Sequence, residues 1–251
     1  MELVERTWKH PTGKQPEIVH LVCLGPSHHD FDQGWLQPDT PEHLARADEV
    51  WAINRGVFHH QHDLHWCMDY IEGEANKWPW YGARLWNHDR WTITSERADG
   101  WPAHVLRYPF EEIYTWIQAF PKVKWTDCHG IERETGGAPS FGDWWINSVP
   151  FVLAYAAWIG VKKLNIWGGD YHHHNSGRVE DGHPNVAAWA AWLDAACGMK
   201  VWAPPSSTFM DTNLRGHIYG YPPHLDPRPH ATAKRAAFRR LAGIDKGETD
   251  G

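Results

Sequence analysis

The segment Glu17–Ile18–Val19–His20–Leu21–Val22–Cys23–Leu24–Gly25–Pro26–Ser27 constrains the fold more than any other part of the chain. A short apolar, β-branched run stops at Gly-Pro-Ser and passes into the polar His28, His29 and Asp30. Such a run, bounded by turn residues, reads as a buried parallel strand feeding a tight loop. In an open α/β sheet, the loop leaving the carboxyl end of the first strand is a usual seat for a nucleotide. Gly25 has no Cβ to keep a phosphate from the backbone, and Ser27 brings a hydroxyl and a backbone N–H. A plain β-turn after a strand accounts for the same residues, so the rest of the chain has to decide.

The pattern recurs. Asp48–Gly56 reads as a second strand ending at Asn54, Arg55 and Gly56, and Asp63–Tyr70 as a third ending at Asp69. Trp91–Ser95 and His104–Leu106 read as further strands, with a helix at Phe110–Phe120. Thr40-Pro41 opens a short helix. Asn147-Ser148-Val149-Pro150 supplies a cap and a first-turn proline to the apolar run Phe151–Ile159, which Gly160 closes. A helix apolar all round is a buried one. Lys162–Trp167 is a strand running into Gly168-Gly169-Asp170-Tyr171, and a helix follows from His183-Pro184. Its apolar positions Val186, Trp189, Leu193 and Cys197 keep helical spacing, and Val201–Ala203 is a last strand.

Strands alternating with helices imply an α/β fold with a doubly wound, mostly parallel, Rossmann-like sheet and helices on both faces. Residues 72–86, rich in Trp, read as irregular. Trp125–Gly142 reads as a long loop with Gly136-Gly137 as the hinge of a lid. Ala231–Leu241 is a closing helix. The domain plan is an extension at residues 1–17, a nucleotide-binding domain at 18–210 with an insertion at 71–146, and an extension at 211–251 carrying one basic helix.

A chain of 251 residues suits one large α/β domain. Its net charge of −7 disfavours non-specific binding to a nucleic-acid backbone. The local patch Lys234, Arg235, Arg239 and Arg240 reads as a solvated helix face, and a nucleic-acid acceptor stays open. Cys23, Cys67, Cys128 and Cys197 lack C-x-x-C spacing, pointing to a reduced, cytoplasmic protein without structural zinc. Met1–Pro16 is unlike a signal peptide, and Val149–Val161, the longest apolar run, is too short to span a bilayer. The 18 Trp and 19 His are scattered rather than repeated, so most Trp are expected in the core.

In a parallel sheet the strand ends share one edge, which collects Gly25 and Ser27, Asn54 and Arg55, Asp69, and Asp170 and Tyr171. The helix opening at Asn147-Ser148 aims its free N–H groups at the same edge as a second anion-binding element. Two phosphate cradles with an Asn/Arg pair fit a nucleotide mono- or diphosphate. Taken singly, each of these residues is a satisfied turn or cap.

These residues carry a resemblance. Gly25-Pro26-Ser27 resembles the Gly-x-Gly-Pro-Ser loop of the small bacterial sialyltransferases and the 6-hydroxymethylpterin pyrophosphokinase-like proteins, although the first glycine of that loop is not kept in Cys23-Leu24. Asn54 is similar to the Asn after their second strand. Asn147-Ser148, opening a helix that ends in Ile159-Gly160-Val161-Lys162-Lys163 and leads to Gly169-Asp170-Tyr171, resembles their Thr-Ser-Gly helix, following strand and Gly-x-Asp ending. Gly182-His183-Pro184, before a helix and Lys200-Val201-Trp202, is similar to the His of the sialyltransferase pattern. The resemblance spans residues 18–70 and 147–207.

It implies a glycosyltransferase using a nucleotide sugar and a hydroxyl acceptor. His183 would then be the general base and Tyr171 the hydrogen-bond partner of the leaving phosphate. The pyrophosphokinase branch would instead place Asp170, with Asp69 and Asp181, around magnesium. A third alternative is a nucleotide-binding module without catalysis, for which His183 is dispensable. His172-His173-His174 adds a further alternative, a metal held by Asp170, His172 and His174, against a plain polar loop.

Overall fold

The computed structural model describes residues 8–25, 28–29, 31, 46–69, 78–87, 89–97, 99–120, 122–126, 130, 132–136, 145, 147–170, 172–173, 178–179, 183–204, 207 and 209. The strands are β1 (Ile18–Val22), β2 (Glu49–Ile53), β3 (Leu64–Cys67), β4 (Trp91–Thr94), β5 (Val105–Arg107), β6 (Lys122–Thr126), β7 (Glu132–Gly136), β8 (Lys163–Trp167), β9 (His172–His173), β10 (Arg178–Val179) and β11 (Lys200–Trp202). The helices are α1 (Pro79–Asn87), α2 (Phe110–Gln118), α3 (Ser148–Ile159) and α4 (His183–Cys197), with a 3-10 helix at Asn54–Phe58.

Seven strands form one sheet in the order β11-β8-β1-β2-β3-β4-β5, and every pairing is parallel. The expected doubly wound sheet is therefore present. The chain steps outward from β1 to β5 and then returns to the other side of β1 for β8. Strand order reverses between β1 and β8, and in open α/β sheets ligands bind outside the carboxyl ends of the strands at such a switch point.

One face of the sheet carries Val19, Leu21, Trp51, Leu64, Trp66, Ile93, Leu164 and Ile166 into the main core with α2, α3 and α4. The centre of that core is Tyr155 on α3. Its ring lies 4.8 Å from Trp66, 5.3 Å from Trp8 and 5.8 Å from Trp51, each edge to face. Contacts of this geometry add about 0.5–1.5 kcal/mol apiece beyond burial. Local signals explain α3: Asn147 Oδ1 accepts the Val149 N–H at 3.0 Å, Pro150 stands in the first turn, and Gly160 ends it in the left-handed region.

The opposite face is more polar. Alternation puts His20 of β1 and Asn165 of β8 side by side, and His65 beside Thr92. Trp167 donates its indole N–H to His20 Nδ1 at 2.8 Å, so the His20 proton resides on Nε2. Phe31 packs here against His20 and Trp167, and Leu85 of α1 packs against Val57 and Cys67.

Two expectations are corrected. Residues 79–87 are helical, with Pro79 at the first helical position, where its missing N–H costs nothing. The dense aromatics around it hide the helical period. The supposed loop at Trp125–Gly142 includes most of an antiparallel hairpin, β6 against β7, whose register sets Lys124 opposite Glu134 and Trp125 opposite Arg133. An opposite-charge pair such as Lys124 and Glu134 favours strand pairing, although neither segment is apolar. Gly136 ends β7, and Gly137 lies outside the described residues. The helices expected at Thr40-Pro41 and Ala231–Leu241, and the whole extension 211–251, also lie outside them. No described helix is long and apolar enough to cross a membrane.

The amino edge of the sheet is closed by a buried acid. Glu49 accepts from His10 Nε2 at 2.9 Å, from Trp51 Nε1 at 2.7 Å and from the Thr12 hydroxyl, while His10 Nδ1 meets the Tyr155 hydroxyl at 2.6 Å. Burial pushes the Glu49 carboxyl upward, but those hydrogen bonds and the charge on His10 outweigh it and hold the group below its ordinary value. A depressed folded value stabilises the protein above the unfolded value of about 4.3 and is lost as pH falls through the folded one. Denaturant unfolding from pH 7 downward should therefore show a loss of stability below about pH 4.3, and Glu49→Gln should lack that component.

Candidate functional site

The ladder between β1 and β8 continues past the strands. Cys23 N donates to Trp167 O at 2.7 Å and Gly25 N to Gly168 O at 2.8 Å. The two loops approach so closely that a Cβ on Gly25 would stand 2.5 Å from Gly168 O and 2.7 Å from Asp170 Cβ. A Cβ on Gly168, whose φ is +69°, would stand 2.6 Å from Cys23 O and 2.7 Å from His28 Cβ. The bare Cα of Gly25 is thus filled by the chain's own backbone, and its N–H is engaged. The effect is to seat Asp170 over the end of β1. Burial pushes the adjacent Cys23 thiol up to about 12, with the Asp170 charge adding to the shift, so Cys23 is a neutral wall and not a nucleophile.

Gly25 O accepts both the His28 N–H, at 2.9 Å, and His28 Nδ1, at 2.8 Å. A carbonyl only accepts, so Nδ1 carries the His28 proton. The fixed ring lies 3.9 Å from His29 and 5.6 Å from His60, which gathers three imidazoles beyond the end of β1.

At the end of β2, Asn54 takes a φ of 48°, the one left-handed non-glycine among the described residues. Asn tolerates this region better than most residues. His65 Nε2 donates to Asn54 O at 2.8 Å and locks the turn. The 3-10 helix then crosses the end of β1, where a Cβ on Gly56 would meet Val22 O at 3.2 Å. Arg55 lays its guanidinium 4.9 Å above the Trp78 ring. Asp69 lies just beyond the end of β3.

Two helix N-termini reach the same edge. α3 leads through Gly160 into β8, and α4 leads through Gly198 into β11, so both run antiparallel to the strands. Asn147 and the buried Ser148 therefore stand at the carboxyl edge, as do His183, which opens α4, and Asn185 in its first turn.

Three buried amide atoms along this edge have no hydrogen-bond partner: Asn54 Oδ1, Asn147 Nδ2 and Asn185 Oδ1. Leaving such an atom unsatisfied costs about 1–3 kcal/mol, and folded proteins keep only a few. Acceptors and a donor together, beside helix N–H groups, suit a polar, anionic ligand.

Gly25, Asn54, Arg55, Asp69, Asn147, Ser148, Asp170 and the backbone of His183 thus come to one edge, from six elements. Pro26, Ser27, Tyr171 and His174 lie outside the described residues, and His172 lies in β9. The sequence reading missed Asn185, although an Asn in the turn after His183-Pro184 was the available signal. It also missed Trp78 and Trp80, whose rim position nothing local announces.

No family model and no curated protein matches the chain. Solved structures similar to it include the sialyltransferase CstII from Campylobacter jejuni in complex with the substrate analogue CMP-3FNeuAc, at 13% identity and a TM-score of 0.45, over 88% of this chain and 98% of that one. The sialyltransferase CST-II in complex with trisaccharide acceptor and CMP is similar at 12% identity and 0.43, over 84% and 88%. The alpha-2,3-sialyltransferase from Campylobacter jejuni in apo form is similar at 10% identity and 0.43, over 86% and 83%.

Proposed function

We propose that the chain is a transferase using a nucleotide-activated donor, of glycosyltransferase class with a nucleotide sugar. The observation that carries the reading is the reversal of strand order between β1 and β8, flanked by the unpartnered amide atoms of Asn54 and Asn147. The donor phosphate would lie against the N-terminus of α3, where Ser148 and the helix N–H groups offset its charge. The sugar would point toward the start of α4. There His183 takes the proton of the acceptor hydroxyl as that oxygen attacks the sugar carbon, and the bond from that carbon to the phosphate oxygen breaks. Tyr171 donates to the departing phosphate, and Asp170 borders the same end of the crevice.

The alternative, a magnesium-dependent pyrophosphokinase, needs Asp170 and Asp69 on one ion. β8 and β3 are separated by three strand spacings, about 14 Å, which favours the transferase.

The test is thermal unfolding with CMP, UDP, GDP and ATP, with and without magnesium. A nucleotide near a hundred times its Kd should stabilise the chain by about 2.7 kcal/mol without metal, and turnover should persist in EDTA. Strict magnesium dependence would transfer the assignment to the pyrophosphokinase. Stabilisation by none of the nucleotides would remove the nucleotide reading altogether.

A further inference from the structure

Most of the described tryptophans build the core, and Trp51, Trp66 and Trp189 are fully buried. Trp80 is different. It is 51% exposed, and the one other large exposed hydrophobic residue among those described is Leu24, at 39%, beside Gly25. Leu24 stands just beyond the end of β1, and α1 leads into β4, so the start of α1, with Trp80, also stands at the carboxyl edge of the sheet. Phe58 lies 5.2 Å from Trp80, Trp78 lies 6.3 Å from it, and Arg55 covers Trp78 at 4.9 Å. None of the ion pairs among the described residues includes Arg55. A half-exposed indole, beside a second indole that carries a guanidinium on its face, suits a flat polar ring.

We propose that Arg55, Phe58, Trp78 and Trp80 form the seat of the nucleobase of the donor. The proposal rests on the nucleotide reading above and adds a direction to it. The end of β3 lies two strand spacings from the end of β1, about 10 Å, which a ribose bridges between phosphate and base. His183 opens α4, which leads into β11 on the far side of β8, so the acceptor approaches from there. The base then extends the other way, over β2 toward Trp80. Stacking on an aromatic face tolerates every base, so Trp80 contributes affinity and Arg55 contributes contacts to the polar edge of the ring.

The test compares a nucleoside monophosphate with ribose 5-phosphate, which has the same phosphate and no base, by titration calorimetry on wild type, Trp80→Ala, Trp80→Phe and Arg55→Met. Trp80→Ala should weaken the nucleotide about five- to a hundredfold while leaving ribose 5-phosphate unchanged. Trp80→Phe should recover most of the loss. Equal weakening of both probes, or no weakening of the nucleotide, would overturn the base seat and leave the phosphate crevice standing. Failure of wild type to bind any nucleotide would overturn the seat and the nucleotide reading together.

Discussion

His183→Ala should lower turnover about 10²- to 10⁴-fold with nucleotide affinity nearly unchanged, because a general base acts on the acceptor and not on the donor. The expectation rests on the role proposed for His183, which opens α4 on the β8 and β11 side of the sheet. The rate profile should also lose the limb that titrates near neutral pH, the range of an imidazole. Steady-state kinetics beside a nucleotide titration separate the outcomes. A variant with full turnover has its base elsewhere, and one that loses nucleotide affinity in step with rate uses His183 as a binding group.

The second large effect is structural and has an internal control. Gly168 and Gly198 share nearly the same backbone conformation, with φ of +69° and +73°. A Cβ on Gly168 would lie 2.6 Å from Cys23 O, whereas one on Gly198 meets nothing within 4 Å. Gly198→Ala should cost about 1–2 kcal/mol for the left-handed conformation alone. Gly168→Ala adds a collision with backbone that cannot withdraw without opening the β1–β8 ladder, for a total of about 2–5 kcal/mol. At about 2–4 °C per kcal/mol for a chain of this size, its Tm should fall by roughly 4–20 °C. Nucleotide affinity should drop in Gly168→Ala and hold in Gly198→Ala. Equal losses of stability in the two variants would mean that the contact between the loops contributes nothing.

What could be read from the sequence was what local chemistry decides. The cap at Asn147, Pro150 and Gly160 delimit α3 without help from the rest of the chain, and the β-branched runs around Val19, Ile53 and Ile166 become the central strands. What could not be read depends on partners far apart in the chain. Trp167 and His20 are 147 residues apart, and no local pattern announces that one donates to the other. Gly25 teaches the same lesson. A glycine at that position was legible, but the object pressed against it proved to be Gly168 and Asp170, which only the neighbouring strand β8 could supply. Likewise Trp80 has the same local surroundings as a core aromatic, and its exposure follows from where α1 docks.

A nucleotide lying across the carboxyl edge should have its phosphate at the β1–β8 switch point. A crystal structure with the nucleotide that gives the largest thermal stabilisation measures this directly. Phosphate density is expected between the Gly25–Asp170 contact and the N-terminus of α3, with Asn54 Oδ1 and Asn147 Nδ2 each within about 2.7–3.2 Å of a ligand atom. A nucleotide bound away from this edge, or bound here with both amide atoms still unpartnered, would contradict it.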